Sequence, residues 1–242
     1  MILVADAHVS KIFNNHDEFF QMLALIESLD RDVVFLGDIF DLWIALPRYQ
    51  EEIQKRFLEW CRRYKRRRMV GFVEGNREFW VVKKRSDCFS WSTESFYWDK
   101  SRNLLFVHGD QINRKDWRYL SWRKVSKNGA MRKLVRFLPF GPRIAHRLKK
   151  KLETTNMEFR IGLPEEELRH FAQSRFDEGA ARILAGHFHR DYSFPAGEDR
   201  WLRVLPDWYS TRLVGIYDEK NTTCKTVLWQ DLAKATAAED GN

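Results

Sequence analysis

Five short apolar runs along this chain stop abruptly at polar residues. ILVA (2–5) meets Asp6, DVVFL (32–36) meets Gly37-Asp38, and MVGFV (69–73) leads through Glu74 into Gly75-Asn76. LLFV (104–107) meets His108-Gly109-Asp110, and ARILA (181–185) meets Gly186-His187-Phe188-His189. Continuous apolar runs of this length predict buried strands. Between them the period changes. Phe19, Met22, Leu23 and Ile26 recur at helical spacing and predict a helix over about 17–29. Phe57, Trp60, Cys61 and Tyr64 fall at i, i+3, i+4 and i+7 and mark a second helix with a basic outer face. Strand, helix, strand in alternation predicts an α/β fold.

The alternation breaks between residues 114 and 160, where amphipathic helical spacing takes over. Trp117, Leu120 and Val125 belong to one piece, and Met131, Leu134, Val135 and Leu138 to the next. Asn128-Gly129 and Pro139-Phe140-Gly141-Pro142 divide the pieces, and Pro164 restarts the core as a helix N-terminus. WLRVL (201–205), TRLVGIY (211–217) and CKTVLW (224–229) read as further strands, the last two joined by a turn at Asp218-Glu219-Lys220-Asn221. The expected organisation is a core over 1–113 and 164–230, a helical insertion or lid over 114–163, and a flexible tail over 231–242.

Charge sharpens this division. Residues 114–151 hold fourteen Lys and Arg against one acid, Asp116, a net of +13 in a chain whose total is +8. Everything else is therefore net negative, and the basicity of one segment calls for a local acidic partner. Cys61, Cys88 and Cys224 form no even set and no CxxC pair, which predicts reduced thiols. No stretch is long and apolar enough to cross a membrane, and MILVA is too short for a signal sequence, so a soluble or peripheral protein is expected.

In an α/β sheet the C-terminal ends of the strands converge on one rim, where sites form. The five polar clusters would gather Asp6, His8, Asp38, Asn76, His108, His187 and His189 there. Three oxygen donors with four imidazoles suit Mn, Fe, Zn or Ni better than Ca or Mg. Seven donors exceed the needs of one ion, so a pair bridged by a carboxylate is the natural arrangement, able to activate water and clamp a phosphoryl group. Residues two apart on an extended chain point the same way, which would aim both members of DxH and of HxH at one centre. Taken alone, a Gly-Asp is usually a turn and an HxH is usually surface or core chemistry. Five clusters in order, each after a strand, outweigh those readings.

The order DxH, GD, GN(H/R)(D/E), H, GHxH resembles the calcineurin-like metallophosphoesterases over roughly residues 1–230. That resemblance implies a four-layer αββα sandwich with two divalent ions, manganese expected, on one edge. It assigns Asp6, His8 and His189 to the first metal, Asn76, His108 and His187 to the second, and Asp38 to both. Arg77 stands where most of the family carries His. Arginine cannot donate a proton at neutral pH, but it grips phosphate oxygens in a bidentate fork. GNR followed by an acid, the LGDIFDLW segment with Trp43, Asp116, Tyr119, Trp122 and Arg123 after HGD, Arg190 after GHxH, and RVLPDW (203–208) are similar to the branch of UDP-2,3-diacylglucosamine diphosphatases of lipid A synthesis. The chain departs from that branch at Ala7, at Glu78, at Asn113-Arg114-Lys115, and in lacking a histidine shortly after GHxH.

The resemblance implies a pyrophosphate hydrolase in which Asp38, Asn76 and Arg77 act on the phosphoryl group and Arg77, Asp116, Tyr119 and Arg123 bind substrate. The expected partners are an anionic lipid-linked nucleotide and a membrane surface, at the cytoplasmic face of an inner membrane, with no obligate protein partner. Trp117, Trp122, Phe137, Leu138, Phe140 and Ile144 interleaved with Lys and Arg fit that substrate. The alternatives are a solvated helical pair packing its apolar stripe on the core, action on another nucleotide diphosphate, a nuclease, and a non-catalytic scaffold of the same fold. Nucleic acid ranks below the lipid-linked substrate.

Overall fold

The computed structural model describes residues 1–11, 13–155 and 162–240, with the side chains of 151–155 and 238–240 left aside. In chain order the elements are β1 (Ile2–Val4), α1 (His16–Leu29), β2 (Val33–Phe35), β3 (Trp43–Ile44), α2 (Glu52–Tyr64), β4 (Val70–Val73), β5 (Glu78–Phe79) and α3 (Val81–Arg85). Then come β6 (Trp91–Thr93), β7 (Phe96–Asp99), β8 (Leu104–Val107), α4 (Trp117–Ser126), α5 (Gly129–Phe137), α6 (Gly141–Thr155) and α7 (Glu165–Asp177). The chain closes with β9 (Arg182–Ala185), β10 (Tyr192–Pro195), β11 (Trp201–Val204), α8 (Trp208–Thr211), β12 (Leu213–Asp218), β13 (Thr223–Leu228) and α9 (Leu232–Asp240).

Two sheets stack face to face. One runs β13-β12-β1-β2-β4-β6 and the other β10-β11-β9-β8-β7. β1, β2, β4 and β6 are mutually parallel, as are β8, β9 and β11, while the hairpin strands at the edges run antiparallel. The period-2 alternation of a strand sorts each apolar run between two cores. Leu3, Ala5, Val34, Leu36, Leu104, Phe106 and Leu184 meet between the sheets. Ile2, Val4, Val33 and Phe35 face outward onto α1 and α2, and Leu105, Val107, Ile183 and Ala185 face outward onto α7. The result is the four-layer helix–sheet–sheet–helix order. Each large side chain buried this way contributes about 1.5–3 kcal/mol, which explains why all five short strands are apolar on both faces.

Leu232–Asp240, in the stretch where the sequence predicts a flexible tail, is helical. Its Ala-rich sequence favours helix, and Leu232 and Thr236, one turn apart, are buried against the core, with the Thr236 hydroxyl donating to Leu232 O at 2.8 Å. Residues 241–242 lie outside the described residues, as do 156–161 of the insertion. The stretch between Asn76 and Leu104, for which periodicity predicts no element, holds β5, α3, β6 and β7, too short and too mixed in polarity to show a period.

The insertion forms three helices split where the Asn-Gly and Pro-Phe-Gly-Pro segments predict. Asp116 and Asn128 cap α4 and α5, accepting from Tyr119 N at 3.0 Å and Met131 N at 2.7 Å. The apolar stripe of these helices does not pack on the core. Trp117, Trp122, Val125, Leu134, Phe137, Phe140, Ile144 and Leu148 are all exposed, Phe137 to 73%.

Candidate metal centre

β1, β2, β4, β8 and β9 all point their C-terminal ends at one rim, and the loops that leave them deliver the seven candidate donors. Asp6, His8, Asp38 and His108 are almost fully buried, and Asn76, His187 and His189 are half-buried at the cavity wall. Asp6, His8 and His189 offer donor atoms within 4.8 Å of one another, as do Asp6, Asp38 and His108. Asp6 belongs to both groups. His8 Nε2 and His189 Nε2 lie 3.4 Å apart, and His189 Nε2 lies 3.5 Å from Asp6 Oδ1. On the other side Asn76 Oδ1 lies 3.0 Å from both His108 Nε2 and His187 Nδ1, and His108 Nε2 lies 3.7 Å from Asp38 Oδ1.

The backbone reaches this arrangement by a route that extended-chain geometry does not predict. Asp6, His8, Asp38, His187 and His189 all have φ between 42° and 72°, in the left-handed region that side chains other than glycine rarely adopt. DxH and HxH therefore aim two side chains at one point through tight left-handed loops rather than through strand pleat. Strain of this kind persists only where surrounding contacts over-determine it, and it concentrates at functional sites. The glycines of the motifs make room for it. A Cβ on Gly37, itself at φ +89°, would stand 2.6 Å from His108 Nδ1.

Hydrogen bonds hold the loops to each other. The Glu78 carboxylate, fully buried, accepts from Asp38 N (2.9 Å), Ile39 N (2.7 Å) and Gly75 N (2.6 Å), tying the loop after β2 to the loop after β4. Burial and the negative charge of Asp38 push the Glu78 carboxyl up to about 8. Asp38 Oδ1 accepts from Arg77 N at 2.7 Å, and Asp6 Oδ2 accepts from His187 N at 2.6 Å. The imidazoles are oriented from behind. His108 Nδ1 donates to Leu36 O at 2.7 Å, while His8 Nδ1 faces Asp41 at 3.6 Å and His189 Nδ1 faces Asp207 at 3.9 Å. Carboxylates and carbonyls behind ligand imidazoles fix ring orientation and tautomer.

The electrostatics fit a cation. His108 lies among acids: burial opposes a charge on it, yet Asp38 and Asp6 raise its pKa, so this buried ring sits where negative charge gathers. Asp6 Oδ1 is buried and makes no hydrogen bond among the described residues. Burial opposes a charge on His189, yet Asp6 beside it lifts its pKa to about 9, so a positive charge is favoured at that point. Burial and the charge of His108 push His187 down to about 4, which leaves it the neutral imidazole a metal binds.

A cavity of about 240 Å³ opens over these donors. Its walls include Arg77, Asp110, Asn113, Asp116 and Tyr119, with Gly162, Leu163 and Pro164 from the end of the insertion. Arg77 and Tyr119 thus stand where substrate contact was expected, and Asp116, an exposed helix cap, stands at the edge. Arg123 does not line the cavity: its Nε donates to Asp110 Oδ2 at 2.5 Å and one Nη donates to Glu94 O at 2.9 Å. Asp110, Asp41, Asp207 and Glu78 carry roles that motif reading missed. Their signal was available, since each stands within three residues of a candidate donor or inside RVLPDW.

Residues 1–191 match the calcineurin-like phosphoesterase family model, and the chain belongs to that family of metal-dependent phosphoester hydrolases. Among curated proteins it is similar to the UDP-2,3-diacylglucosamine hydrolase of Shewanella loihica, 26% identical over 224 residues that cover 86% of this chain and 88% of that protein. The protein of the same name from Vibrio cholerae is 24% identical over 250 residues, covering 92% of this chain and 96% of that one. Among solved structures, Yfce, a phosphoesterase from E. coli, is 13% identical with a TM-score of 0.42, covering 94% of this chain and 97% of that chain.

Proposed function

We propose that this enzyme hydrolyses the diphosphate of UDP-2,3-diacylglucosamine, releasing UMP and 2,3-diacylglucosamine 1-phosphate. Two divalent cations, manganese expected, would be held by Asp6, His8 and His189 on one side and by Asn76, His108 and His187 on the other, with Asp38 available to both. Bound there, such ions acidify water and neutralise charge on phosphoryl oxygens. The chain's own residues do the rest. Asn76 and Arg77 steady the phosphoryl oxygens from the cavity wall, the Arg77 guanidinium by a bidentate fork, while the Arg77 peptide N–H holds Asp38 in place.

The observation that carries the substrate reading is the junction between this cavity and the insertion. Five of the seven donors, His8, Asp38, Asn76, His187 and His189, line the cavity together with Asp116, Tyr119 and Leu163 of the insertion. The same insertion leaves Trp117, Trp122, Phe137 and Phe140 exposed among fourteen basic residues. An exposed apolar surface set in positive charge matches acyl chains beside an anionic diphosphate, and it matches an anionic membrane surface from which such a substrate is drawn. The curated relatives, named for this reaction, support it. No helix of the described residues is long and apolar enough to cross a membrane.

The test is incubation with UDP-2,3-diacylglucosamine and Mn²⁺ while UMP is followed. UMP release that stops on chelation is expected. No release with any divalent ion, from protein that still hydrolyses bis-p-nitrophenyl phosphate, removes the substrate assignment and keeps the enzyme class.

A further inference from the structure

Helix α4 is inside out. Its apolar residues Trp117, Trp122 and Val125 are exposed to between 52% and 66%, with Leu120 half-buried, while the side chains of Arg123 and of Lys127, the residue that follows its last turn, are only 12% and 8% exposed. Arg123 reaches Asp110, whose side chain is 1% exposed, in the loop that carries His108. Lys127 reaches Glu74, whose side chain is wholly buried, at 3.1 Å, and donates to Gly75 O at 2.6 Å, in the loop that carries Asn76. Tyr119 adds its hydroxyl to Asp110 at 2.5 Å, and Trp80 Nε1 donates to Lys127 O at 2.8 Å. Buried ion pairs are poor sources of net stability, because desolvation cancels much of the attraction, but breaking one is costly. A helix seated only to cover the cavity would bury its tryptophans instead.

We infer that α4 is a clamp on the second metal position: Arg123 and Lys127 are positioning residues that hold the Asn76 and His108 loops at their mutual distance. The inference rests on the metal-centre reading above. It places the insertion's first helix inside the machinery of the core rather than over it. Arg123 and Lys127 act from behind Asp110 and Gly75, neither of which is a donor, so their loss spreads the second group of donors and leaves Asp6, His8 and His189 as they are. Removing a group hydrogen-bonded to a metal ligand costs about 10–100-fold in metal affinity, and Arg123 and Lys127, one residue further out, are expected to act at the lower end of that range.

Calorimetric titration with Mn²⁺, without substrate, tests this on the wild-type chain and on Lys127→Met and Arg123→Gln. The wild type is expected to bind two ions. Each variant is expected to bind the first ion with wild-type affinity and the second about tenfold or more weakly, and Arg123→Lys is expected to recover part of the loss. Far-UV circular dichroism identifies any variant that has not folded, and the two variants break different pairs, so either one carries the test. Two unchanged Mn²⁺ affinities in a folded variant whose KM alone has moved would overturn the inference and make α4 a substrate cover. Fewer than two ions on the wild type would instead overturn the metal-centre reading beneath it.

Discussion

The strand-end loops and the basic insertion place opposite kinds of side chain out of water. The loops bury acids and imidazoles against one another, on left-handed backbone that glycines make room for, with Glu78 bonded to three peptide N–H groups. The insertion turns eight large apolar side chains outward and is tied to the core by Arg123, Lys127, the Tyr49 hydroxyl on Val135 O at 2.6 Å, and Lys149 on Glu51 at 2.9 Å. The contrast separates two jobs. A rim crowded with charge and strain fits fixed chemistry on a small group, whereas an outward apolar surface in positive charge fits a large partner that arrives and leaves.

Changes in the rim are therefore expected to strike turnover, and changes in the exposed face to strike only substrates with lipid. The largest effect is expected for Asp38→Asn, which removes the carboxylate proposed to serve both ions: a loss on the order of 10³-fold in kcat with lower metal content by elemental analysis, the scale of a deleted electrostatic group at a reacting centre. Near-normal turnover would refute the shared role. Arg77→Lys keeps the charge and loses the fork, and kcat is expected to fall by roughly 10–100-fold, a loss of about 1.4–2.7 kcal/mol, with Tm little changed. An equal fall in Tm would mean that Arg77 is mainly structural.

Phe137→Ala with Phe140→Ala is expected to raise KM for an acylated substrate several-fold and weaken binding to anionic vesicles. Hydrolysis of bis-p-nitrophenyl phosphate and stability should stay within about 0.5 kcal/mol of wild type, since both side chains are largely exposed. A matching loss on the small ester would erase the distinction between the two regions.

The smallest effect concerns protons. His189 holds its proton up to about 9 because Asp6 outweighs burial, so Mn²⁺ must displace it at neutral pH. Apparent Mn²⁺ affinity is expected to rise as pH climbs from 7 toward 9 and then level, with a binding enthalpy that varies with the ionisation enthalpy of the buffer. The same raised pKa stabilises the metal-free fold fully below pH 6.5, and that contribution is lost as pH rises through about 9. An affinity flat between pH 7 and 9 would contradict the Asp6–His189 pairing.

Much of the rim was legible in the sequence. Apolar runs ending at Asp6, Asp38, Asn76, His108 and His187 announce strand ends, and parallel order brings strand ends together. What stayed hidden was the means. Left-handed φ at Asp6, His8, Asp38, His187 and His189 leaves no trace in composition, because these residues pay their strain through tertiary contacts such as Glu78 and Arg77 N. In the insertion, the helices were legible from period and from the Asn-Gly and Pro-Phe-Gly-Pro breaks, but not which face turns inward. Periodicity reports that a helix has two faces. Burial of Arg123 and Lys127 depends on Asp110 and Glu74, acids distant in sequence from the lysine and close only in the fold. For the same reason the sequence suggests Arg123 as a substrate contact but does not show its pairing with Asp110.

The most direct measurement is UMP release with Mn²⁺ from UDP-2,3-diacylglucosamine in mixed micelles, set against UDP-N-acetylglucosamine, which carries the same diphosphate without the long acyl chains. The acylated nucleotide is expected to turn over far faster, with the difference largely abolished in the Phe137, Phe140 double variant. Equal rates on the two nucleotides, unmoved by that variant, would contradict the joint role of rim and insertion.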